Sequence, residues 1–276
     1  MNYKVIVAAT LALAASGAAY WQFKMLHPAH DGNPPSVTDA SADVAPAAAS
    51  AAAAPETYPI DSSTTAELLP QLEHSDPVLG TVIQSLIGTA AFTRWVRQDQ
   101  IAQRIVVTVD ALGRSAPAFE QRLLRFVGGT FRVDGDELRA TIAPDNAARY
   151  QPIMMLLATT DVHTAYREYT RLYPLLQSAW QALGYSDGHF NDRLVAVIDL
   201  LLATPDVAPP IELQRPGVMY VYADPKLEAL SSGQKILLRV GREHAAQIKN
   251  RLRELRALVT TGHGAPAASP ASPALR

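Results

Sequence analysis

Apolar positions fall into two kinds of run: one long block without charge near the N-terminus, then a series of stripes at three- and four-residue steps. Val78, Val82, Ile83 and Leu86 make the first stripe. Asp76-Pro77 ahead of it reads as N-cap and first turn, and Gly88 as its stop. Phe92, Trp95 and Val96 continue as a short helix. Ile101, Ile105, Val109 and Leu112 form the next stripe and predict a helix, although the β-branched run 105–109 also permits a strand. Residues 117–126 read as another short helix. Residues 128–142 read as a hairpin turning at Asp134-Gly135, the favoured pair for a tight turn.

Further on, Ile153 to Leu157 forms an apolar helix end, and Thr160-Asp161 caps a long helix running to Leu183. Tyr166, Tyr169, Tyr173, Leu176 and Trp180 recur along that helix, and Pro174 is expected to kink or split it. Phe190, Leu194, Val197, Ile198 and Leu201 make one face of a following helix. Residues 206–214 and 218–222 read as two short strands, and Asp224-Pro225 caps a helix reaching Leu230. The stretch 231–241 leads to a last helix, 242–258, apolar at Ala246, Leu252 and Leu255. The pattern predicts a mainly α fold with a small antiparallel β component, one exported helical domain over residues 65–260.

The N-terminal block carries no charge between Lys4 and Lys24, and as a helix it spans about 28 Å, close to the hydrocarbon thickness of a bilayer. Tyr20 and Trp21 fall where an interfacial aromatic belt lies, and Lys4 with the free amine keeps the N-terminus cytoplasmic. Residues 1–26 are therefore a membrane anchor or, by the small-residue sites around Ser16 to Ala19, a signal segment; either exports the body. Residues 27–64, rich in Ala, Pro, Ser and Asp, have little apolar bulk to bury and read as a disordered linker; residues 261–276 read as a disordered tail. The expected location is the inner membrane, single-pass, with the C-terminal domain in the periplasm.

Composition narrows the chemistry. The formal net charge of −2 gives no basic footprint for nucleic acid. The absence of Cys excludes disulfides, thiolate metal sites, Cys nucleophiles and a lipoprotein anchor, and it suits an oxidising compartment. No His-Glu-x-x-His pattern, phosphate loop or Gly-x-Ser-x-Gly elbow occurs, so no cofactor and no metal is expected. Asp134-Gly-Asp136 lacks the ligand spacing of a calcium loop. Ser232 and Lys235 offer a Ser-x-x-Lys tetrad without its usual companions.

The densest polar cluster is His189, Asn191, Asp192 and Arg193, at the start of the apolar 190–202 helix. A catalytic reading makes Asp192 a general base oriented by His189 or Arg193. A structural reading makes Asn191 or Asp187 the helix cap, with Asp192 and Arg193 bonded to neighbouring elements. The aromatic stripe of Tyr166, Tyr169, Tyr173 and Trp180 is either a sugar-stacking platform or core with hydroxyls at its rim.

Several stretches carry a resemblance: residues 69–77, 129–136 and 171–177, Tyr150 before its apolar helix, Gly188-His-Phe-Asn-Asp-Arg-Leu-Val195, Leu201-Leu-Ala-Thr-Pro205, and residues 224–235. Together they resemble a bacterial family, domain of unknown function 3014, over roughly residues 65 to 260. The resemblance implies an envelope location and the same plan of membrane segment, linker and body; it brings no activity. The expected role is a non-enzymatic, membrane-tethered periplasmic protein binding an envelope protein or cell-wall polymer. The alternative is an enzyme acting on an envelope polymer through a carboxylate/His pair.

Overall fold

The computed structural model describes residues 57–60, 69–115, 120–125, 130–136 and 139–261. The expected anchor and the tail beyond Thr261 lie outside the described residues. Among the described residues no helix is long and apolar enough to cross a membrane.

Helix α1 (Asp76–Ile87) buries Leu79, Val82, Ile83, Leu86 and Ile87. It stops at Gly88, whose φ of 84° breaks the helical path. Asp76 is the first residue of α1 and not its side-chain cap. Its carboxylate instead accepts the backbone N–H groups of Gln100 at 2.8 Å and Ile101 at 2.7 Å, at the head of another helix. After α2 (Thr89–Trp95), that helix, α3 (Ile101–Leu112), settles the ambiguity of the β-branched run. Ile101, Ala102, Val106, Val109 and Leu112 are all buried, a helical period that lets α3 pack on several neighbours at once. Burying each such aliphatic side chain contributes roughly 1.5–3 kcal/mol.

Residues 120–125 are not helical. They form a turn and an antiparallel bridge, Val96 to Leu124, with Arg97 and Arg125 N–H groups bonded across it. The described part of the predicted 117–126 helix is therefore extended, because Leu123 and Leu124 seat their side chains in the core this way.

The hairpin is present, as β1 (Val133–Asp134) and β2 (Ala140–Ile142), but Asp134-Gly135 does not make a two-residue turn. Asp134 pairs with Thr141, so residues 135–140 lie between the paired positions. Gly135 has φ of 90°, and a Cβ there would lie 2.1 Å from the Arg139 carbonyl oxygen. A 3-10 turn (Pro144–Tyr150) leads to α4 (Gln151–Ala158).

Helix α5 (Val162–Ala182) starts at Asp161, whose side chain accepts from the N–H groups of His163 and Thr164. It runs through Pro174 as one helix. Proline removes one N–H but leaves the flanking apolar residues Leu172, Tyr173, Leu175 and Leu176 buried, and this packing carries the helix across the gap. Helix α6 (Phe190–Leu202) follows, then β3 (Glu212–Gln214) and β4 (Val221–Tyr222). All four strands form one antiparallel sheet in sequence order. The register sets Ala140, Leu213 and Tyr222 side by side across β2, β3 and β4, all buried against Leu238.

A short α7 (Pro225–Glu228) precedes α8 (Ser232–Arg239). Ser231 and Gln234 form a reciprocal capping box there, carried by a Ser-x-x-Gln signature in the sequence. Helix α9 (Arg242–Thr261) follows, burying Ile248, Leu252, Leu255 and Val259 at three- and four-residue steps. Helices α3, α5, α6 and α9 pack about one another, with α1 and α8 against α3 and the small sheet to one side. The protein is mainly α with a small antiparallel sheet.

Candidate functional site

Asn191 and Asp192 at the head of α6 and Tyr169 and Tyr173 of α5 belong to a single network. Asn191 is its hub and is fully buried. Its Oδ1 accepts from the Tyr169 hydroxyl at 2.9 Å. Its Nδ2 donates to the carbonyl oxygens of Tyr58 at 2.8 Å and Val259 at 3.0 Å. Its backbone N–H donates to the Tyr173 hydroxyl at 3.4 Å, and that hydroxyl donates to Gln177. Gln177 in turn accepts from the Phe190 N–H and donates to the Gly188 carbonyl, closing the loop that joins α5 to α6.

Asp192 completes the arrangement. Its Oδ1 accepts the backbone N–H of Tyr58 at 2.5 Å. Asn191 and Asp192 therefore take up the C=O and the N–H of one residue, Tyr58, and hold it beside α6. Tyr58 and Ile60 also pack against the main core. Residues that composition assigns to the linker are thus in contact with the body.

Neither Asn191 nor Asp187 caps α6. His189 occupies the N-cap position without a side-chain cap bond, and its carbonyl accepts from the Asp192 N–H at 3.1 Å. The His189 side chain is exposed, while Asp192 reaches toward Tyr58. Arg193 points elsewhere again, to Asp110 on α3: Nε to Oδ1 at 2.8 Å, and Nη2 to the Asp110 carbonyl at 3.0 Å. Asp110 also receives Arg114 at 2.7 Å and the Tyr185 hydroxyl at 3.3 Å. The four residues of the sequence cluster therefore serve three separate places.

Tyr169, Tyr173 and Trp180 are buried, and Tyr166 is half-buried. Burial pushes the Tyr169 hydroxyl well above its ordinary value and lifts Tyr173 to about 12, chiefly by desolvating the phenolate. Both hydroxyls therefore stay protonated donors at any physiological pH. The Trp180 ring is stacked on Tyr185, centroids 3.8 Å apart and planes within 7°, so a protein ring already occupies that face.

The Ser232/Lys235 tetrad is pulled apart. Ser232 donates to the Ala111 carbonyl at 2.5 Å, and Lys235 is paired with Glu228 at 2.5 Å.

Beside the network, between α1, α3, α5 and α6, lies a partly open apolar cavity of about 60 Å³, lined by Ile83, Val109, Tyr169, Leu176, Phe190 and Leu194 among others. Glu168 is its one acidic lining residue, paired with Arg171. It is too small for a drug-sized ligand, which needs about 300 Å³ or more.

A family model described as protein of unknown function (DUF3014) matches residues 101–256. The chain belongs to this family. The DUF3014 match begins at the first residue of α3 and takes in Asp110, Tyr169, Tyr173 and Asn191 to Arg193. It stops short of Tyr58 and Val259, and is shorter at both ends than the resemblance read from the sequence. No curated protein matches the chain, and no solved structure does.

Sequence reasoning missed Tyr58, Asp110 and Gln177. Gln177 had a signal, since its position four residues after Tyr173 puts both on one helix face. Tyr58 had none, because it is held by its backbone.

Proposed function

We propose that this chain is a membrane-tethered periplasmic protein whose DUF3014 body binds or positions an envelope partner without chemistry of its own. The observation carrying this reading is the grip of Asn191 and Asp192 on the Tyr58 backbone. A low-complexity tether held this way leaves the body at one place and in one direction, which suits a domain that must present a surface at a set distance from its anchor. The groups an acid/base mechanism needs are otherwise engaged: Asp192 accepts the Tyr58 N–H, and His189 stands apart from it in solvent.

Two measurements test this together. Protease added to spheroplasts is expected to digest the body without permeabilising the inner membrane. Photo-crosslinking from exposed positions of α9 in intact cells is expected to yield one discrete partner. Release of soluble fragments from purified peptidoglycan, lost in Asp192→Ala at an unchanged melting temperature, would put the enzyme reading in its place.

A further inference from the structure

A second polar centre lies at the seam between the main core and the small sheet, near the start of α9, whereas the first lies near its end. Its hub is Asn146, in the 3-10 turn before α4 and fully buried. Asn146 Oδ1 accepts from the Arg132 backbone N–H at 3.0 Å and from Arg149 Nη1 at 3.0 Å, and its Nδ2 donates to the Arg239 carbonyl at 2.8 Å. One amide thus gathers three arginines, from the residue before β1, the 3-10 turn and the end of α8.

The guanidiniums are fixed by aromatic faces. Arg239 lies over Phe131 at 5.5 Å and Tyr222 at 5.6 Å, and Arg149 over Tyr150 at 5.3 Å. Stacking fixes the plane of a guanidinium and leaves its N–H edge to meet an oxyanion. The local charge is one-sided. Arg149 is held below its usual value first by burial and then by the positive charges of Arg132 and Arg239. The Tyr222 hydroxyl, pushed up to about 12 by burial, feels both Arg239 and Tyr150. Among the described residues the acidic groups facing the cluster include Asp145, paired with Arg132, and Glu228, paired with Lys235.

Two buried donors in this centre have no partner: the Tyr150 hydroxyl, on a side chain only 1% exposed, and Arg239 Nε. A buried donor without an acceptor bears its desolvation penalty uncompensated, so two in one seam, among converging cations, mark a site shaped for an acceptor.

We propose that this seam binds a phosphate group, with Arg149, Arg239 and Tyr150 as its donors and Arg132 at the rim. Among the described residues three guanidiniums and Lys235 face two carboxylates, Asp145 and Glu228, and the positive excess suits a group carrying close to two negative charges, which a phosphate monoester does at neutral pH and a single carboxylate does not. The site stands independently of the tethered-scaffold reading, since it shares no residue with the Tyr58 network.

The test is calorimetric titration of the full-length chain with inorganic phosphate, and separately with dihexanoyl phosphatidic acid below its micelle concentration. Variants are Arg239→Gln, Tyr150→Phe and, as a control, Arg242→Gln. Saturable phosphate binding is expected, weakened about tenfold or more by Arg239→Gln, less by Tyr150→Phe, and unchanged by Arg242→Gln. Tyr150→Phe removes only an unpartnered hydroxyl, so its melting temperature without phosphate should not fall, which separates loss of binding from loss of fold. Tighter binding of the lipid than of inorganic phosphate, lost in Arg239→Gln, assigns the site to a lipid headgroup; equal or weaker binding assigns it to a soluble phosphate or small ester. Absence of saturable binding by either probe, or equal affinity in wild type and Arg239→Gln, overturns the proposal.

Discussion

The carboxylate of Asp76 accepts the backbone N–H of Ile101 at 2.7 Å, so the first residue of one helix caps the first turn of another. Gln100, whose N–H takes the other carboxylate oxygen, sits at φ of 52°, a left-handed conformation that its side chain does not favour. Asp76→Ala should cost about 1–2 kcal/mol, and Asp76→Asn less, because one acceptor oxygen survives. A shift of the urea midpoint at constant m-value is the readout.

Asn191→Ala should destabilise more, by about 2–4 kcal/mol. It removes the acceptor of the buried Tyr169 hydroxyl and the donor to the Tyr58 and Val259 carbonyls. Combining it with Tyr169→Phe should cost less than the sum of the two, since each removes the other's partner. A double-mutant cycle by thermal denaturation measures the difference; additive losses would show that the two residues are not coupled.

Asp161 gives a pH dependence of known sign. Hydrogen bonding from Thr164 comes first among the influences that hold its carboxyl below the ordinary aspartate value. Its contribution is complete above the unfolded value of about 3.9 and is lost as pH falls through the lowered folded value. Asp161→Asn should therefore flatten the acid limb of stability below about pH 5 and leave the neutral-to-alkaline limb unchanged in shape. Melting temperatures across that range decide it.

Gly233→Ala tests the contact of α8 with α3 and α6. A Cβ at this position would lie 2.6 Å from Leu201 Cδ2 and 2.8 Å from the Leu112 carbonyl oxygen, and that carbonyl is backbone that cannot swing away. Overpacking of this kind costs about 1–3 kcal/mol, against a small gain in helix propensity. A rise in melting temperature would mean that α8 can move off α3 freely.

The long helices were legible because their apolar residues repeat at the helical period and are bounded by marked residues, Asp161 before α5 and Gly88 after α1. The strands were legible only as short apolar runs, because elements of two or three residues carry too few positions for alternation to show. The turn at Asp134-Gly135 misled for the same reason: the dipeptide favours a tight turn, but the pairing of Asp134 with Thr141 demands a longer one. At the candidate site the residue types were visible and their partners were not. Asn191, Asp192 and Arg193 are consecutive, yet helical geometry sends them to a buried hub, the Tyr58 backbone and Asp110. A peptide group held by its own N–H and C=O leaves no mark on the sequence, since almost every residue has both.

The hold on Tyr58 also determines how the body bears a pull. Tension arriving along the chain from before Thr57 reaches α6 and the end of α9 through two side chains before it reaches the first turn of α1. Asp192 is partly open to solvent and Asn191 is sealed in, so under load the outer bond should part before the inner one. The clamp would then yield in two steps, Asp192 first and Asn191 second, with α6 and α9 bearing the load ahead of α1.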